Sequence, residues 1–183
     1  AFVVWGDGAT TAGTVIANPS GGFDVTGSHT YAEEGSYPLS VNIADAGGST
    51  ALTSSTATVA DALLTASGMN VSGTEGQSFT SLVAQFTDAD PNGVASDYTA
   101  TIVWGDGATT VGTVVSNSVG GFDVTGSHTY GEEGSYPLSV SIADAGGSTA
   151  FASPTATVTD ASLTASGTAI AATEGQVFSG IVG

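Results

Sequence analysis

The sequence has 183 residues with 17 acidic side chains, two histidines and no lysine or arginine, so its formal net charge is −17. Nucleic acid is thereby excluded as a partner, since binding to its backbone needs cations that displace phosphate counterions. The absence of cysteine excludes disulfides and thiol chemistry, and no apolar run approaches the ~18 residues of a transmembrane helix, so no membrane insertion is expected in this segment.

The first element along the chain, residues 1–61, returns almost unchanged 99 residues later. The string WGDGATT begins at Trp5 and again at Trp104. Aligning residues 1–84 with 100–183 gives 60 identities in 84 positions. The repeating unit is therefore a whole domain rather than a short solenoid turn.

This repeat length predicts three elements in chain order. Residues 1–61 are expected to be the C-terminal part of one module, 62–160 a complete module, and 161–183 the N-terminal strands of the next. We call them the head segment, the full repeat and the tail segment. Since the head segment has no preceding strands of its own, we expect the chain to be a window on a longer repetitive polypeptide.

Within the full repeat, short β-rich runs alternate with Gly, Asn and Asp, which is typical of an all-β sandwich. Seven strands are predicted near 63–72, 78–87, 97–104, 110–116, 121–129, 135–143 and 150–159. The sixth alternates most clearly, with Tyr136, Leu138, Val140 and Ile142 on one face. No stretch has helical periodicity.

Two aromatic positions have a predicted structural role. Tyr136 and its copy Tyr37 open a strand after a turn, where a Greek-key sandwich places a tyrosine corner whose hydroxyl bonds to nearby backbone. Trp5 and Trp104 are expected in the core beside the following Gly-Asp-Gly turn. Stacking of these indoles on sugar rings is the alternative.

Four motifs of the full repeat carry a resemblance to a known family. They are Trp104-Gly105-Asp106-Gly107, Ser127-His128-Thr129-Tyr130, Glu133-Gly134-Ser135-Tyr136 and Ile142-Ala143-Asp144-Ala145-Gly146-Gly147. Together they resemble the PKD (polycystic kidney disease) domain family. The resemblance implies tandem Ig-like Greek-key β-sandwich modules of extracellular proteins, acting as spacers, adhesive modules or fibres. Such near-identical copies also look like very long repetitive surface proteins of environmental bacteria, planctomycetes among them.

The paired Asp and His of each copy have a catalytic and a structural interpretation. Ser127, His128 and Asp106 form a triad on paper, but no nucleophile elbow is present. We expect Asp7 and Asp106 to close their turns by accepting backbone N–H bonds, with the nearby histidines in a structural role. No catalytic or cofactor-binding residue is predicted.

One segment has the pattern of a metal site. Asp88, Asp90 and Asn92 alternate before Gly93, as in the first half of the DxDxNG calcium loop, and Asp97 follows. The closing Glu of an EF-hand is missing and no helices flank the loop. Two interpretations stay open: a calcium loop on a β-scaffold, with these Asp and Asn side chains as ligands, or a plain polar turn.

Carboxylates also lie near the ends of the predicted modules. Glu75 and Glu174 lie near module starts, and Asp61 and Asp160 near module ends. Ca²⁺, the one cofactor that the sequence suggests, could bridge such groups at a junction and stiffen it.

The sequence thus predicts a non-enzymatic structural module of an extracellular bacterial fibre, stalk or cell-surface protein. Its partners are neighbouring copies of itself, joined head-to-tail either by a continuous chain or by a tail strand that completes the head of the next copy. The alternative is a calcium-dependent adhesin or glycan-binding surface module, with surface glycans as partners.

Overall fold

The computed structural model describes residues 1–183 and consists almost entirely of β-strands. The sixteen strands are β1 Phe2–Val4, β2 Thr10–Ala12, β3 Thr14–Ala17, β4 Phe23–Thr26, β5 Gly35–Ala44, β6 Thr50–Val59, β7 Leu64–Gly68, β8 Val71–Thr74, β9 Phe79–Asp88, β10 Tyr98–Val103, β11 Thr109–Ser116, β12 Phe122–His128, β13 Gly134–Pro137, β14 Ser139–Asp144, β15 Thr149–Ala152 and β16 Thr155–Thr159. The single helix is a 3₁₀ turn at Ala95–Asp97, so no helical segment could span a bilayer. The all-β prediction is confirmed.

The full repeat is a sandwich whose larger sheet folds over on itself. Its strand order is β15-β14-β10-β11-β12-β9-β7. Strand β11 pairs with β10 through its first half and with β12 through its second half, so the sheet changes direction between Gly112 and Thr113. The two end strands, β15 and β7, contact each other and enclose the core. A smaller sheet, β13-β16-β8, packs on the same core through Val71, Ala156 and Val158.

The buried core of 19 residues lies entirely between Leu64 and Val158. Its largest fully buried side chains include Trp104 and Tyr130, which confirms the expected core position of this tryptophan. The predicted alternation is also confirmed, because Leu138, Val140 and Ile142 are buried while Ser139 between them is exposed.

Three of the seven predicted strands are each divided in two, giving β7 and β8, β13 and β14, and β15 and β16. The last two divisions have one cause. Pro154 has no N–H for the ladder, and its carbonyl accepts only the Leu138 N–H, at 2.9 Å. In the head segment Ser55 replaces this proline, and β5 pairs with β6 along its whole length. The proline therefore lets one hairpin of the full repeat serve both sheets.

The head segment repeats part of this architecture. Its β1, β2, β5 and β6 form a sheet of order β2-β1-β5-β6, and β3 pairs with β4. By the offset of 99 residues these six strands correspond to β10 through β16, whereas nothing in the head segment corresponds to β7, β8 and β9. The tail segment, which has the sequence of β7, β8 and early β9, contains no strand.

Candidate functional site at the junction of the repeats

The Gly-Asp-Gly turn after β10 is held by its aspartate. Asp106 Oδ1 accepts the Ala108 N–H at 3.0 Å, which confirms the predicted turn closure, and Oδ2 lies 2.8 Å from His128 Nε2. The first glycine is required, since Gly105 has φ +84° and a Cβ there would lie 2.6 Å from the Pro137 carbonyl oxygen. The head segment repeats the arrangement, with the His29 and Asp7 side chains 2.6 Å apart.

These contacts set the charge state of the aspartate. Partial burial acts to raise the pKa of Asp106, but the hydrogen bonds from Ala108 and His128 outweigh it, so the pKa lies below its ordinary value. The imidazole stacks on Trp104, with ring centres 4.7 Å apart. The Tyr130 hydroxyl donates to the Trp104 carbonyl at 2.9 Å, and burial first of all raises the pKa of this tyrosine to about 12.

The Ser127, His128 and Asp106 side chains do not form a catalytic triad in the structure. Ser127 and His128 are neighbours on β12, and successive side chains on a strand point to opposite faces. The Ser127 hydroxyl pairs instead with the Thr80 hydroxyl at 2.7 Å. The histidine and Asp106 therefore brace a turn against a buried indole.

The tyrosine corner is present in both copies. The Tyr136 hydroxyl donates to the Glu132 carbonyl at 3.0 Å, and the Tyr37 hydroxyl to the Glu33 carbonyl at 2.9 Å. This confirms the prediction made from the Gly-Ser-Tyr motif. The bond also fixes the backbone of an acidic pair in each copy, Glu33 with Glu34 and Glu132 with Glu133.

In the DADPNG loop after β9, backbone N–H groups donate hydrogen bonds to the loop's own aspartate side chains. Asp88 Oδ1 accepts the Asp90 N–H and Asp90 Oδ1 accepts the Asn92 N–H, both at 2.9 Å. Asp97 Oδ2 accepts the Val94 N–H at 2.8 Å. In each carboxylate one oxygen is thus engaged with the loop backbone, and a calcium ligand role for these residues stays a prediction.

The same loop is attached to the core by Tyr98. Its hydroxyl donates to Asp88 Oδ2 at 2.7 Å, and burial, followed by this bond, raises the pKa of Tyr98 above its ordinary value. A Cβ at Gly93 would collide with the same hydroxyl, so only glycine leaves the tyrosine its place.

A cleft of about 290 Å³ separates the head segment from the full repeat, and we call it the junction cleft. Seven acidic residues are among those that line it: Glu33, Glu34, Asp61, Asp88, Asp90, Asp97 and Asp144. The Glu34 carboxylate reaches across to the full repeat, where a Cβ at Gly146 would lie 2.7 Å from its Oε2. Burial above all, and then the charges of Asp144 and Glu34, raises the pKa of Asp61 above its ordinary value.

A second acidic group lies at the other end of the full repeat. Carboxylate oxygens of Glu75, Glu133 and Asp160 lie within 4.8 Å of one another. Glu75 also accepts the N–H groups of Glu133 at 2.9 Å and Ala161 at 3.3 Å. Two of these carboxylates, Glu75 and Asp160, were identified from the sequence as candidates at module ends.

Sequence reasoning missed Glu133, and at the junction cleft it missed Glu33, Glu34 and Asp144. The repeat could have pointed to Glu34 and Glu133, because Glu34 and Asp61 occupy in the head segment the positions that Glu133 and Asp160 occupy in the full repeat. The position of Asp144 has a local explanation, since it accepts N–H bonds in the turn after β14.

No protein-family model and no curated protein matches the chain. Among solved structures, the PKD domain of an M14-like peptidase from a Thermoplasmatales archaeon is 26% identical, with a TM-score of 0.38, over 54% of this chain and 97% of that domain. Extracellular cadherin domains 3–6 of protocadherin gamma B2 are 15% identical, with a TM-score of 0.37, over 79% and 36% of the two chains. SGBP-B of Bacteroides ovatus, solved with a mixed-linkage heptasaccharide, is 16% identical, with a TM-score of 0.30, over 87% and 38%. The chain thus spans little more than a third of the last two proteins.

Proposed function

We propose that this chain is a non-enzymatic structural module of an extracellular bacterial fibre, stalk or surface protein whose copies are joined head-to-tail. The observation that carries the proposal is the repetition of a whole domain, with 60 identities in 84 aligned positions. Repetition of a self-contained sandwich adds length and stiffness along one axis. The groups that could do chemistry, Asp106 and His128, are used to brace a turn in each copy.

The proposal is tested by the dimensions of longer arrays. Chains of two, four and six complete 99-residue repeats, examined by small-angle X-ray scattering, should grow linearly in maximum dimension, by roughly 30–40 Å per repeat for strands of this length. A compact form that stops lengthening with repeat number would contradict a spacer or fibre role. Antibodies against this chain should label intact source cells without permeabilisation, and labelling only after permeabilisation would contradict the surface location.

A second candidate function is a calcium-dependent surface module, which the junction cleft favours. Seven acidic residues line one cleft in a chain without lysine or arginine, so no side-chain cation other than histidine is available to neutralise them. The raised pKa of Asp61 reflects burial and this crowding. Ca²⁺ takes six to eight oxygen ligands and tolerates irregular geometry, which suits carboxylates contributed by two modules.

The repeat suggests how a complete junction would be composed. The head segment contributes Glu34 and Asp61 to its junction with the full repeat. In the full repeat the corresponding residues, Glu133 and Asp160, lie close to a third carboxylate, that of Glu75. The following module would contribute the counterparts of Asp88 and Asp144. Each junction between complete repeats would then combine the acidic groups seen at the two ends of the full repeat.

Thermal unfolding tests this second function. The melting temperature should rise saturably with Ca²⁺ relative to EGTA at matched ionic strength, and Asp88→Asn with Asp90→Asn should remove the rise. Asp24→Asn, which removes an exposed charge from the β3–β4 hairpin, is the matched control and should keep it. An equal rise with Mg²⁺ or with NaCl would indicate diffuse screening and would contradict a calcium site.

A glycan-binding role has less support in the structure. Trp104 is fully buried and offers no ring face to a sugar. The B. ovatus protein named above is described with a bound oligosaccharide, but the low TM-score transfers nothing of that to this chain. Glycan-array binding by the full repeat would favour the adhesin alternative over a spacer.

A further inference from the structure

The DADPNG loop contains the only Asn-Gly pair of the sequence, Asn92-Gly93. The other four asparagines precede proline, isoleucine, valine and serine; they are Asn18, Asn42, Asn70 and Asn117. The backbone nitrogen after an asparagine can attack the side-chain amide, and a side chain on that following residue hinders the attack. Proline has no N–H for it, and β-branched residues are crowded at Cβ. Asn92 is therefore the asparagine whose side chain is least protected by its neighbour.

The fold keeps a glycine at position 93 for a reason of space. The Tyr98 hydroxyl, which donates to Asp88 Oδ2 at 2.7 Å, occupies the place that a Cβ on Gly93 would take. The Tyr98 ring is buried and packs against Phe86, with ring centres 4.9 Å apart, so the core holds it in place. The contact that attaches the loop to the core thus also excludes the side chain that would shield Asn92.

The reacting groups of this pair are open. The N–H groups of Asp90, Asn92 and Val94 each donate to an aspartate side chain, at 2.8–2.9 Å, whereas the Gly93 N–H donates to no protein acceptor. The exposed Asn92 side chain is held only through Nδ2, which donates to Asp90 Oδ1 at 3.2 Å. A base in solvent can therefore reach the Gly93 N–H, and the amide oxygen is free to take up negative charge.

Asn117 provides a reference within the same sandwich. It precedes a serine, but both polar atoms of its side chain are engaged. Its Oδ1 accepts the N–H groups of Val119 at 3.1 Å and Gly121 at 2.9 Å, and its Nδ2 donates to Asp123 at 3.0 Å. Turning its Cγ towards the following nitrogen breaks these bonds. We therefore expect Asn117 to be stable under conditions in which Asn92 reacts.

We propose that Asn92 is a site of spontaneous deamidation, which inserts a carboxylate into the junction cleft. The Gly93 nitrogen bonds to Asn92 Cγ, the Cγ–Nδ2 bond breaks, and the Gly93 proton leaves with that nitrogen as ammonia, which gives a five-membered succinimide. Water then adds to one of the two ring carbonyls and opens the ring to aspartate or isoaspartate. The reaction needs water alone as a co-reactant, and the inference goes beyond the proposed function and does not rest on it.

The product changes a cleft that is already acidic. Asn92 lines the junction cleft, and its Nδ2 is the atom that faces Asp90 Oδ1. A carboxylate oxygen there has no hydrogen to donate, so an attractive contact becomes a repulsion between two carboxylates, with no lysine or arginine in the sequence to offset it. Isoaspartate also adds one carbon to the backbone path, which disturbs the loop's N–H bonds to Asp88 and Asp90. The modified chain should therefore melt at a lower temperature in EGTA.

The test follows the amide directly by mass spectrometry. The purified chain is incubated at 37 °C at pH 8 and at pH 6 and digested with chymotrypsin, which releases residues 87–98 and 105–122 as separate peptides; an unincubated sample gives the background. The peptide 87–98 should gain the mass difference between an amide and an acid, faster at pH 8 because the attacking nitrogen must lose its proton. The peptide 105–122, which contains Asn117, should not. An unchanged Asn92 at pH 8, or equal conversion of the two peptides, would overturn the proposal.

Two variants test the role of the glycine without a collision. Tyr98→Phe removes the hydroxyl beside Gly93 and should convert at Asn92 as the wild type does. In that background the nearest remaining atom to the methyl group of Gly93→Ala is the ring Cζ at 3.2 Å, and the double variant should lose most of the conversion in the same period, since the methyl group hinders the attacking nitrogen. Cooperative urea unfolding of both variants checks that they are folded. Equal conversion in the two would contradict the proposal.

A second pair of variants tests the consequence for the junction cleft. Asn92→Asp places the product carboxylate in the loop, whereas Asn92→Ser removes the side-chain bond to Asp90 without adding a charge. In EGTA at low salt Asn92→Asp should melt below Asn92→Ser, and the gap should narrow at high salt because the repulsion is screened. An Asn92→Asp variant that melts as high as Asn92→Ser would overturn the proposed effect on the cleft.

Discussion

Phe122 and Phe23 have identical neighbours in sequence, Gly-Gly before and Asp-Val-Thr-Gly-Ser-His after, yet Phe122 is 7% exposed and Phe23 is 77% exposed. The covered ring stacks on Phe86, with ring centres 5.0 Å apart, and packs against Tyr98 at 4.6 Å. Local sequence places both rings on a strand next to a turn. Burial comes from Phe86 in β9 and Tyr98 in β10, which lie 36 and 24 residues earlier in the sequence, so it is a property of the complete sandwich.

Because the two rings differ in burial, replacing each of them with alanine should lower the free energy of unfolding by different amounts. Phe122→Ala should destabilise the full repeat by about 3–5 kcal/mol, since it leaves a cavity in the core. Phe23→Ala should cost little, because the ring is mostly in solvent. Urea unfolding followed by Trp104 fluorescence in a Trp5→Phe background measures the first loss, and Trp5 fluorescence in a Trp104→Phe background measures the second. Similar losses would contradict the difference in burial.

The tyrosine corner predicts a smaller loss. Tyr136→Phe removes the hydroxyl that donates to the Glu132 carbonyl but keeps the ring that stacks on Tyr130, with ring centres 4.3 Å apart. We expect a loss of about 1 kcal/mol, the net value of one hydrogen bond. Tyr136→Ala, which also removes the ring, should cost clearly more in the same urea titration, and equal losses would show that the hydroxyl alone matters.

The turn aspartate predicts a pH dependence with a definite sign. Because the folded-state pKa of Asp106 lies below its ordinary value of 3.8, its contribution to stability is present above that value. The contribution is lost as the pH falls through 3.8 towards the lowered pKa. Wild type and Asp106→Asn should therefore differ in unfolding free energy at pH 6 and converge in strong acid, as urea titrations across this range can measure. A difference that grows with acidity would contradict the assignment.

In the DADPNG loop, replacing Gly93 should lower stability whether or not a metal ion is bound. Gly93→Ala forces the Tyr98 hydroxyl away from Asp88 and should lower the melting temperature, with EGTA present throughout. Gly131→Ala is the matched control, since a Cβ there meets nothing within 4 Å. It should change little, and an equal decrease in both variants would indicate a backbone effect rather than a collision.

Removing the charge of Asp61 in the junction cleft should stabilise the chain. The folded-state pKa of Asp61 is raised, so its ionised form is disfavoured there, and this cost is present when the pH is above the raised pKa. In EGTA at pH 7, Asp61→Asn should raise the melting temperature, and with Ca²⁺ it should gain less than wild type. Asp24→Asn again serves as the control for net charge.

The elements that the sequence predicts correctly have local determinants. Glycine at positive φ and an Asp that accepts its own turn's N–H define the Gly-Asp-Gly turn, and period-two alternation defines the strands. Pro154 could also have predicted that the hairpin is divided, because proline has no N–H to donate to the hydrogen-bond ladder of a sheet. The junction cleft is different, since the contact between Glu34 and Gly146 depends on how two modules meet, which no local pattern in either segment specifies.

The parallel pairing of β8 with β16 has a mechanical consequence. The two strands come from opposite ends of the full repeat and run side by side through Val71–Thr74 and Ala156–Thr159. Tension that pulls β8 towards the amino terminus and β16 towards the carboxy terminus slides one strand along the other. The hydrogen bonds of this ladder are then loaded together rather than broken one after another, so the sandwich should resist stretching best along the line on which successive repeats are connected.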